Sequence, residues 1–419
     1  MPPHTTTPDL QGRQPAFFYG WVVVAAAFAT TFVGFGSAYT FSAFVGSLQT
    51  EFAASRGSVS LVFSLAGFLY FGLGVLSGPL ADRWGARRLV MAGMVLTGAG
   101  LALAGLARTL GQVYAAYALG VGLGVGLAYV PALGTIQRWF ARRRGFASGL
   151  AVSGIGVGTL VMPPLASFLI AEWGWRTAYL LLGALALVVG VGMAVLIADD
   201  PRARGLLPDG DLSPTSSSGN AALPASEGYS VMQALKTPRF AGLYAACLVS
   251  SFGLFVPFVH LMPYALDHGV AQASAGLLLG AIGVGSTAGR FMLGNLADRM
   301  GRQPALLLMY AGMAASMLVW VMSSGAAGLA VFALAFGVFY GGYVALLPAL
   351  VADYFGGRSI GAIIGVLYTA VALGTLVGPS AAGFVFDFTH SYTLVIAASI
   401  LGNLAAAGIV LAISRLKAR

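Results

Sequence analysis

The sequence predicts an all-α integral membrane protein with twelve transmembrane helices in two pseudo-symmetric six-helix bundles. Only 8% of its 419 residues are charged and 58% are hydrophobic, whereas a soluble domain carries about 25% charged residues. Apolar runs long enough for a spanning helix, about 20 residues, recur along the chain. Sequence motifs of the first half also recur in the second half, which is typical of an internal repeat.

The hydrophobic pattern defines twelve segments, separated by short polar loops and one longer break. The segments cover residues 17–45, 58–81, 89–107, 111–137, 145–171, 174–198, 238–266, 273–297, 304–323, 327–354, 359–386 and 391–414. Residues 199–237 are rich in Pro, Gly, Ser and Asp, so they are predicted to be a linker. The chain is therefore divided into a tail (1–16), a first bundle (17–198), the linker and a second bundle (238–419).

The distribution of positive charge predicts the orientation in the membrane. Most of the 22 Lys and Arg residues fall at the termini or on even-numbered loops, and only Arg56, Arg108 and Arg176 fall on odd-numbered loops. Positive residues concentrate on the cytoplasmic side, so both termini are expected there, in a multi-pass protein of the inner (plasma) membrane. The basic charge thus reflects topology, and no nucleic-acid partner is expected. The single cysteine, Cys247, excludes a disulfide within the chain.

Two short motifs are repeated at a constant spacing. Residues 78–87 read GPLADRWGAR and recur as GNLADRMGR at 294–302, and residues 158–163 read GTLVMP and recur as GTLVGP at 374–379. Both pairs are 216 residues apart. Two parallel six-helix halves are an arrangement typical of transporters whose binding site lies between the halves at the membrane midplane.

Arg290 is the strongest candidate for a binding residue. It lies in an apolar run, 271–296, with no acidic residue between Asp267 and Asp298. A charge inside a membrane helix is costly and usually functional. The planar guanidinium fits a carboxylate through two parallel hydrogen bonds, so a substrate carboxylate is the expected partner. The alternative is a structural cation that pairs with helix carbonyls.

Further candidates are titratable or aromatic residues within the predicted spans. His260 can titrate near neutral pH and is a candidate for proton coupling, although a satisfied core histidine is an equal alternative. Tyrosines within spans can hold substrate oxygens or serve as interfacial anchors, and phenylalanines can form apolar walls or simply pack. The remaining candidates for the cavity are Tyr39, Phe41, Tyr129, Ser286, Phe336, Tyr340, Tyr343 and Tyr368.

The repeated Gly-x-Leu-Ala-Asp-Arg-x-Gly motif resembles the hallmark of the major facilitator superfamily. That resemblance implies a gating role at the cytoplasmic face for four residues, Asp82, Arg83, Asp298 and Arg299. Residues 139–158, which enter the fifth segment, and residues 18–22 (FYGWV) resemble motifs of the monocarboxylate porter family. The second motif has the form found in the bacterial oxalate/formate-antiporter-like branch.

This resemblance implies a transporter of small monocarboxylates such as lactate or pyruvate, which works by alternating access. Arg290 matches the arginine of the eighth helix that binds the substrate carboxylate in this family. The chain departs from the animal members at Ser286, where they carry aspartate, and at residues 38–42, which lack their lysine. Residues 359–386 also lack the second cation expected of oxalate/formate antiporters. A single buried cation favours a monocarboxylate over a dicarboxylate.

Proton symport is the expected mode, because an anion alone would move against an inside-negative potential. His260 or Arg290 would carry the coupling. The alternatives are an oxalate/formate-type carboxylate antiporter and a membrane sensor that does not transport. An enzyme is not expected, because the spans contain no paired carboxylates, metal cluster or nucleophile–base set. The expected partners are a monocarboxylate anion, a proton and the lipid bilayer. The protein is expected to be a monomer without cofactor or metal.

Overall fold

The computed structural model describes residues 18–210, 228–356 and 358–415, and in these ranges the chain is almost entirely helical. The predicted tail, 1–16, and linker residues 211–227 lie outside the described residues. The helices of the first half are α1 (Gly20–Tyr39), α2 (Phe41–Phe52), α3 (Arg56–Gly72), α4 (Gly74–Trp84), α5 (Ala86–Gly105), α6 (Leu110–Ala115), α7 (Leu123–Trp139), α8 (Arg144–Leu185) and α9 (Gly192–Val195).

Two π-helical segments, Ala116–Gly122 and Ala186–Val191, join α6 to α7 and α8 to α9. Two short 3₁₀ turns follow in the linker, Pro201–Arg204 and Pro208–Gly210. The helices of the second half are α10 (Val231–Leu235), α11 (Pro238–Leu254), α12 (Val256–Asp267), α13 (Gln272–Met300), α14 (Arg302–Val321), α15 (Ala326–Phe355), α16 (Ile360–Thr389) and α17 (Thr393–Ser414).

The described residues include ten helical segments long and apolar enough to cross a membrane. An eleventh arises if α3 and α4, bent by 51° relative to each other, form one span. The segment Gly145–Val195 is counted once although it has 51 residues. A span needs only about 20 residues. Gly174, at φ 78 and ψ 162, interrupts the helical backbone within this segment, at the first residue of the predicted segment 174–198.

The first span of each half is broken at an equivalent position. α1 ends at Tyr39 and α2 begins after Thr40, whereas α11 ends at Leu254 and α12 begins after Phe255. Tyr39 and Phe255 are 216 residues apart, the spacing of the sequence repeat. Pro257 occupies the first turn of α12, where a missing backbone N–H is tolerated. Each half therefore presents an aromatic residue at a helix break.

The two halves meet along two helix pairs, α3 with α16 and α8 with α13. A shift of 216 residues carries α3 onto the first part of α13, and the first part of α8 onto α16. The second pair is therefore the repeat-related copy of the first. The interface is therefore pseudo-twofold. The first half contributes α3 and α8, and the second half contributes their repeat-related copies, α13 and α16.

Both helix pairs depend on close contact at glycine. A Cβ atom at Gly67 of α3 would lie 2.3 Å from Thr375 Cγ2 of α16. At the repeat-related position, a Cβ atom at Gly283 of α13 would lie 2.5 Å from the carbonyl oxygen of Gly156 and 3.0 Å from the backbone of Thr159. Thr159 and Thr375 are the threonines of the repeated GTLV motif. The motif therefore lies where the halves touch, and small residues there permit close backbone approach.

We expect Gly283→Ala to destabilise the protein by about 1–3 kcal/mol, because the added methyl meets backbone atoms that cannot rotate away. Gly149→Ala on α8 is the matched control, since its Cβ would lie 3.8 Å from Phe291, an ordinary contact. Helix propensity favours alanine by about 1 kcal/mol, so the control should be neutral or stabilising. Thermal unfolding in detergent can be followed through the fully buried thiol of Cys247. Equal melting temperatures for the two variants would contradict this view of the interface.

Candidate functional site

Arg290 lies on α13, at the surface that α13 presents to α8 of the first half. The residue is 8% exposed. Its Nη1 donates a hydrogen bond to the carbonyl oxygen of Val152 on α8. Its Nε and Nη2 have no hydrogen-bond partner, and within the described ranges no carboxylate forms an ion pair with it. Two donors of a buried cation are thus free, which is costly unless a ligand occupies them.

These donors are part of a cavity between the two halves, here called the central cavity. Its lining atoms enclose about 490 Å³ of empty space, including its open mouth. The first half contributes residues of α1, α3, α7 and α8, and the second half contributes residues of α11, α13, α15 and α16. The lining residues are Phe35, Tyr39, Phe71, Tyr129, Ile155, Leu254, Phe255, Arg290, Tyr340, Tyr343, Val344, Leu347, Tyr368 and Val371.

The structure brings all five tyrosines of the sequence analysis to this cavity, namely Tyr39, Tyr129, Tyr340, Tyr343 and Tyr368. The hydroxyls of Tyr39 and Tyr340 lie 3.4 Å apart across the two halves. The hydroxyl of Tyr343 donates to Cys247 Sγ at 3.5 Å. Those of Tyr129 and Tyr368 make no hydrogen bond with the described part of the chain, so they are free to bind a ligand beside Arg290.

Four other candidates do not line the central cavity. Phe41 and Phe336 are buried among other aromatic rings. Ser286 is buried with an unpartnered hydroxyl, on α13 where this helix packs closely against α15. His260 is fully buried, and both ring nitrogens have partners outside the cavity. The direct substrate contacts predicted for these four residues stay predictions.

The sequence analysis missed the apolar lining of the central cavity. Phe35 precedes Tyr39 by four residues, so both side chains share a face of α1. Val371 follows Tyr368 by three residues on α16, with the same effect. This helical spacing was the available signal. Phe71 and Phe255 lie 5.2 Å apart between ring centroids, one from each half, and only their tertiary contact reveals them.

A second cavity, here called the motif-side cavity, leads from the centre to the face that carries the repeated loop motifs. Its empty space is about 1450 Å³, a volume that includes its open mouth, and its lining includes Gln137, Asp298 and Arg302. It shares four residues with the central cavity: Tyr129, Arg290, Val344 and Tyr368. Arg290 therefore faces both spaces, and the candidate site is connected to this face of the protein.

The described motif residues do not join the halves at this face. Asp82 lies 3.5 Å from Arg138, within the first half, and Arg302 lies 2.6 Å from Asp353, within the second half. Asp298 lines the motif-side cavity, and Arg83 and Arg299 are exposed. The gating roles of Asp82, Arg83, Asp298 and Arg299 stay predictions.

The opposite face is closed by a polar cluster that links the halves. Arg56, at the start of α3, pairs with both carboxylate oxygens of Asp267 at 2.6 and 3.2 Å. Its guanidinium also lies 4.0 Å from the ring centroid of Phe386. Asp387 of α16 accepts hydrogen bonds from the backbone N–H groups of Arg56 and Gly57 at 2.9 and 2.8 Å. A carboxylate at a helix N-terminus is favourable, so the second half caps a helix of the first.

His260 connects this cluster to the membrane interior. The Tyr392 hydroxyl accepts from Arg56 Nη1 at 3.1 Å and lies 2.9 Å from His260 Nδ1. A phenol is protonated at neutral pH, and its hydroxyl donates to Nδ1. His260 Nε2 is then the donor to the carbonyl oxygen of Pro379, at 2.8 Å. We call Arg56, Asp267, Asp387, Tyr392 and His260 the closing cluster.

Comparison with known proteins identifies the architecture. The sequence profile of the Major Facilitator Superfamily matches residues 26–379 and 251–418. Monocarboxylate transporter 11 of Mus musculus is 34% identical over 389 residues, which cover 90% of this chain and 83% of that protein. The chain belongs to the monocarboxylate transporter family of the Major Facilitator Superfamily. It is a membrane transporter and not an enzyme, as the sequence analysis expected.

Other family members are similar to this chain at slightly lower identity. Monocarboxylate transporter 12-B of Danio rerio is 30% identical over 394 residues, covering 90% of this chain and 83% of its own length. Monocarboxylate transporter 12 of Rattus norvegicus is 30% identical over 397 residues, covering 90% and 81%. The similarity therefore extends through both halves of the fold.

We expect a monocarboxylate to stabilise the protein against heat through Arg290. A ligand at a hundred times its dissociation constant adds about 2.7 kcal/mol to the stability of the folded state. Lactate should therefore raise the unfolding temperature measured at the Cys247 thiol, and Arg290→Gln should abolish the shift. Arg415→Gln, at the exposed end of α17, is the control and should keep it. An equal shift in the Arg290 variant would show that the acid binds elsewhere.

Proposed function

We propose that the protein carries monocarboxylates of the lactate and pyruvate type across the inner (plasma) membrane by alternating access. The observation that carries this proposal is the pair of free guanidinium donors of Arg290 in a cavity between the halves. A carboxylate presents two oxygens in the geometry that a guanidinium accommodates. In a cavity of low dielectric, such a pair is stronger than in water. The names of the relatives in the monocarboxylate transporter family support the same substrate class.

The charge of the cavity supports a monocarboxylate over a dicarboxylate. Arg290 is the only Lys or Arg among the described residues that line the central cavity. Arg302, in the motif-side cavity, already pairs with Asp353. A second carboxylate would therefore be buried without a counter-ion, at a cost of several kcal/mol. This argues against the oxalate/formate-type alternative.

We further propose twelve crossings with both termini in the cytoplasm. The long segment Gly145–Val195 supplies two crossings if the chain reverses near Gly174, and α3 with α4 supplies one. The motif-side cavity then opens to the cytoplasm, and the closing cluster lies at the external face. This conformation would be inward-facing. Transport requires the reverse arrangement as well, in which the cluster separates and the motif loops meet.

Proton symport is the proposed mode. A lactate anion bound at Arg290 with one proton carries no net charge, so its entry is not opposed by an inside-negative membrane potential. The potential would otherwise cost about 2.3 kcal/mol per charge per 100 mV. His260 and Arg290 remain the candidates for coupling, and the monomer remains the proposed state.

We expect lactate uptake into proteoliposomes to be stimulated by an inward proton gradient and to fall at least tenfold in Arg290→Ala. Arg290→Lys should restore only part of the rate, because an ammonium group lacks the planar fork. Uptake unaffected by the gradient, but accelerated by lactate inside the vesicles, would favour an antiporter. Full uptake by Arg290→Ala would contradict the proposal.

We expect Asp267→Asn to open the external face. A hydrogen bond to a charged group contributes about 1.5–3 kcal/mol, so its loss should raise the externally open population about tenfold or more. A reporter cysteine at Ile155, which lines the central cavity, would be placed in a Cys247→Ser background. Labelling of this cysteine from outside by a membrane-impermeant maleimide should then accelerate.

The matched control for that experiment is Glu51→Gln. Glu51 pairs with Arg176 at 2.7 Å on the same face, but both residues belong to the first half. Its loss removes a comparable charge without releasing one half from the other. Equal labelling rates in Asp267→Asn, Glu51→Gln and the parent would mean that the closing cluster does not hold this face shut.

A further inference from the structure

The chemistry of the central cavity is divided between one polar region and an extended aromatic wall. Arg290 and the free hydroxyls of Tyr129 and Tyr368 line both the central and the motif-side cavities. The remaining lining is largely aromatic and aliphatic, and it includes Phe35 and Phe71. Apart from Arg290, none of the described lining residues is Asp, Glu, His, Lys or Arg. A ligand that fits both parts has a single ionised end and an apolar body.

The charge of the cavity determines the net charge of the ligand's ionised end. The cavity without ligand holds one positive charge, so a ligand with net charge −1 neutralises it. A zwitterion, such as an amino acid, leaves the positive charge in place and adds an ammonium group with no lining carboxylate to bind it. Tyrosine rings attract a cation by about 0.5–2 kcal/mol. An uncompensated buried ion costs several kcal/mol. Zwitterions are therefore disfavoured.

The aromatic wall indicates that the apolar part of the ligand is itself aromatic. Phe71 packs with its ring centroid 5.2 Å from that of Phe255 and 6.3 Å from that of Tyr368. Phe35 meets the ring of Tyr129 edge-on, with centroids 5.1 Å apart. Phe71 is only partly buried, so its ring still offers surface to a ligand. The methyl group of lactate would cover little of this surface, whereas a phenyl ring would cover much more and gain in proportion to the area removed from water.

We propose that the preferred substrate is a monocarboxylate with an aromatic body and no ammonium group, such as a 3-aryl-2-hydroxy acid. This inference rests on the proposed carboxylate transport at Arg290 and specifies its substrate class. The carboxylate occupies the free donors of Arg290. The 2-hydroxyl group bonds with Tyr129 or Tyr368. The aryl ring packs against Phe71, which is only partly buried, whereas Phe35 and Phe255 behind it are almost fully buried.

Three compounds test the two parts of the proposal separately. 3-Phenyllactate differs from lactate by a phenyl ring, and from phenylalanine by a hydroxyl group in place of the ammonium group. Uptake of labelled 3-phenyllactate and labelled lactate is measured in proteoliposomes, and the flux in protein-free vesicles is subtracted. The expected half-saturating concentration is at least tenfold lower for 3-phenyllactate than for lactate. Phenylalanine at the same concentration as 3-phenyllactate should inhibit at least tenfold less.

A variant links the preference to the aromatic wall. Phe71→Ala should reduce the ratio of the two half-saturating concentrations severalfold, and Phe71→Leu, which disturbs the packing less, should do the same to a smaller degree. An unchanged ratio in both variants would overturn the assignment of Phe71 to the ligand.

The possible failures are distinguishable. A lactate half-saturation equal to or below that of 3-phenyllactate would overturn the aromatic preference while leaving monocarboxylate transport intact. Inhibition by phenylalanine equal to that by 3-phenyllactate would overturn the charge argument. Uptake of neither acid above the level of Arg290→Ala would count against the proposed function itself.

Discussion

The structure depends on one buried cation that is only partly satisfied. Nη1 of Arg290 donates a hydrogen bond to the carbonyl oxygen of Val152 in the opposite half, whereas Nε and Nη2 have no partner. On the surface of a soluble protein, water would accept hydrogen bonds from these groups. At an apolar interface between membrane helices there is no bulk water to do so. The surrounding fold therefore has to supply a cavity, hydroxyl groups and an access route at this point. The tyrosines and the motif-side cavity do so.

The two halves can hold such a cavity because they touch in a repeated way. Gly67 meets Thr375 in one helix pair, and Gly283 meets the backbone at Thr159 in the other. Equivalent contacts lie on either side of the cavity, as the proposed tilting of one half against the other requires. The equivalent helix breaks after Tyr39 and before Val256 place an aromatic residue of each half at the centre. The internal repeat thus relates the two interface helix pairs to each other and Tyr39 to Phe255.

Much of this could be predicted from the sequence, where the evidence was local. Arg290 was evident from its apolar surroundings, and the five tyrosines from their positions within spans. The closing cluster could not be predicted, because Arg56 and Asp267 are 211 residues apart and each alone resembles an ordinary loop charge.

The surroundings of the buried polar residues could not be predicted either. His260 was open to two interpretations, and its partners Tyr392 and Pro379 come from elements that only tertiary structure brings together. Ser286 is buried outside the cavity lining, which composition cannot indicate.

The free donors of Arg290 also affect how fast the empty and the loaded protein can change conformation. When the protein is empty, every fully closed conformation must contain a cation without a counter-ion, and its energy is raised accordingly. When an anion is bound, the same conformation contains a neutral pair. Under the proposed alternating-access mechanism, the loaded protein then has the lower barrier for changing sides, and the return of the empty protein is the slow step. A carrier built in this way exchanges labelled for unlabelled substrate faster than it accumulates substrate.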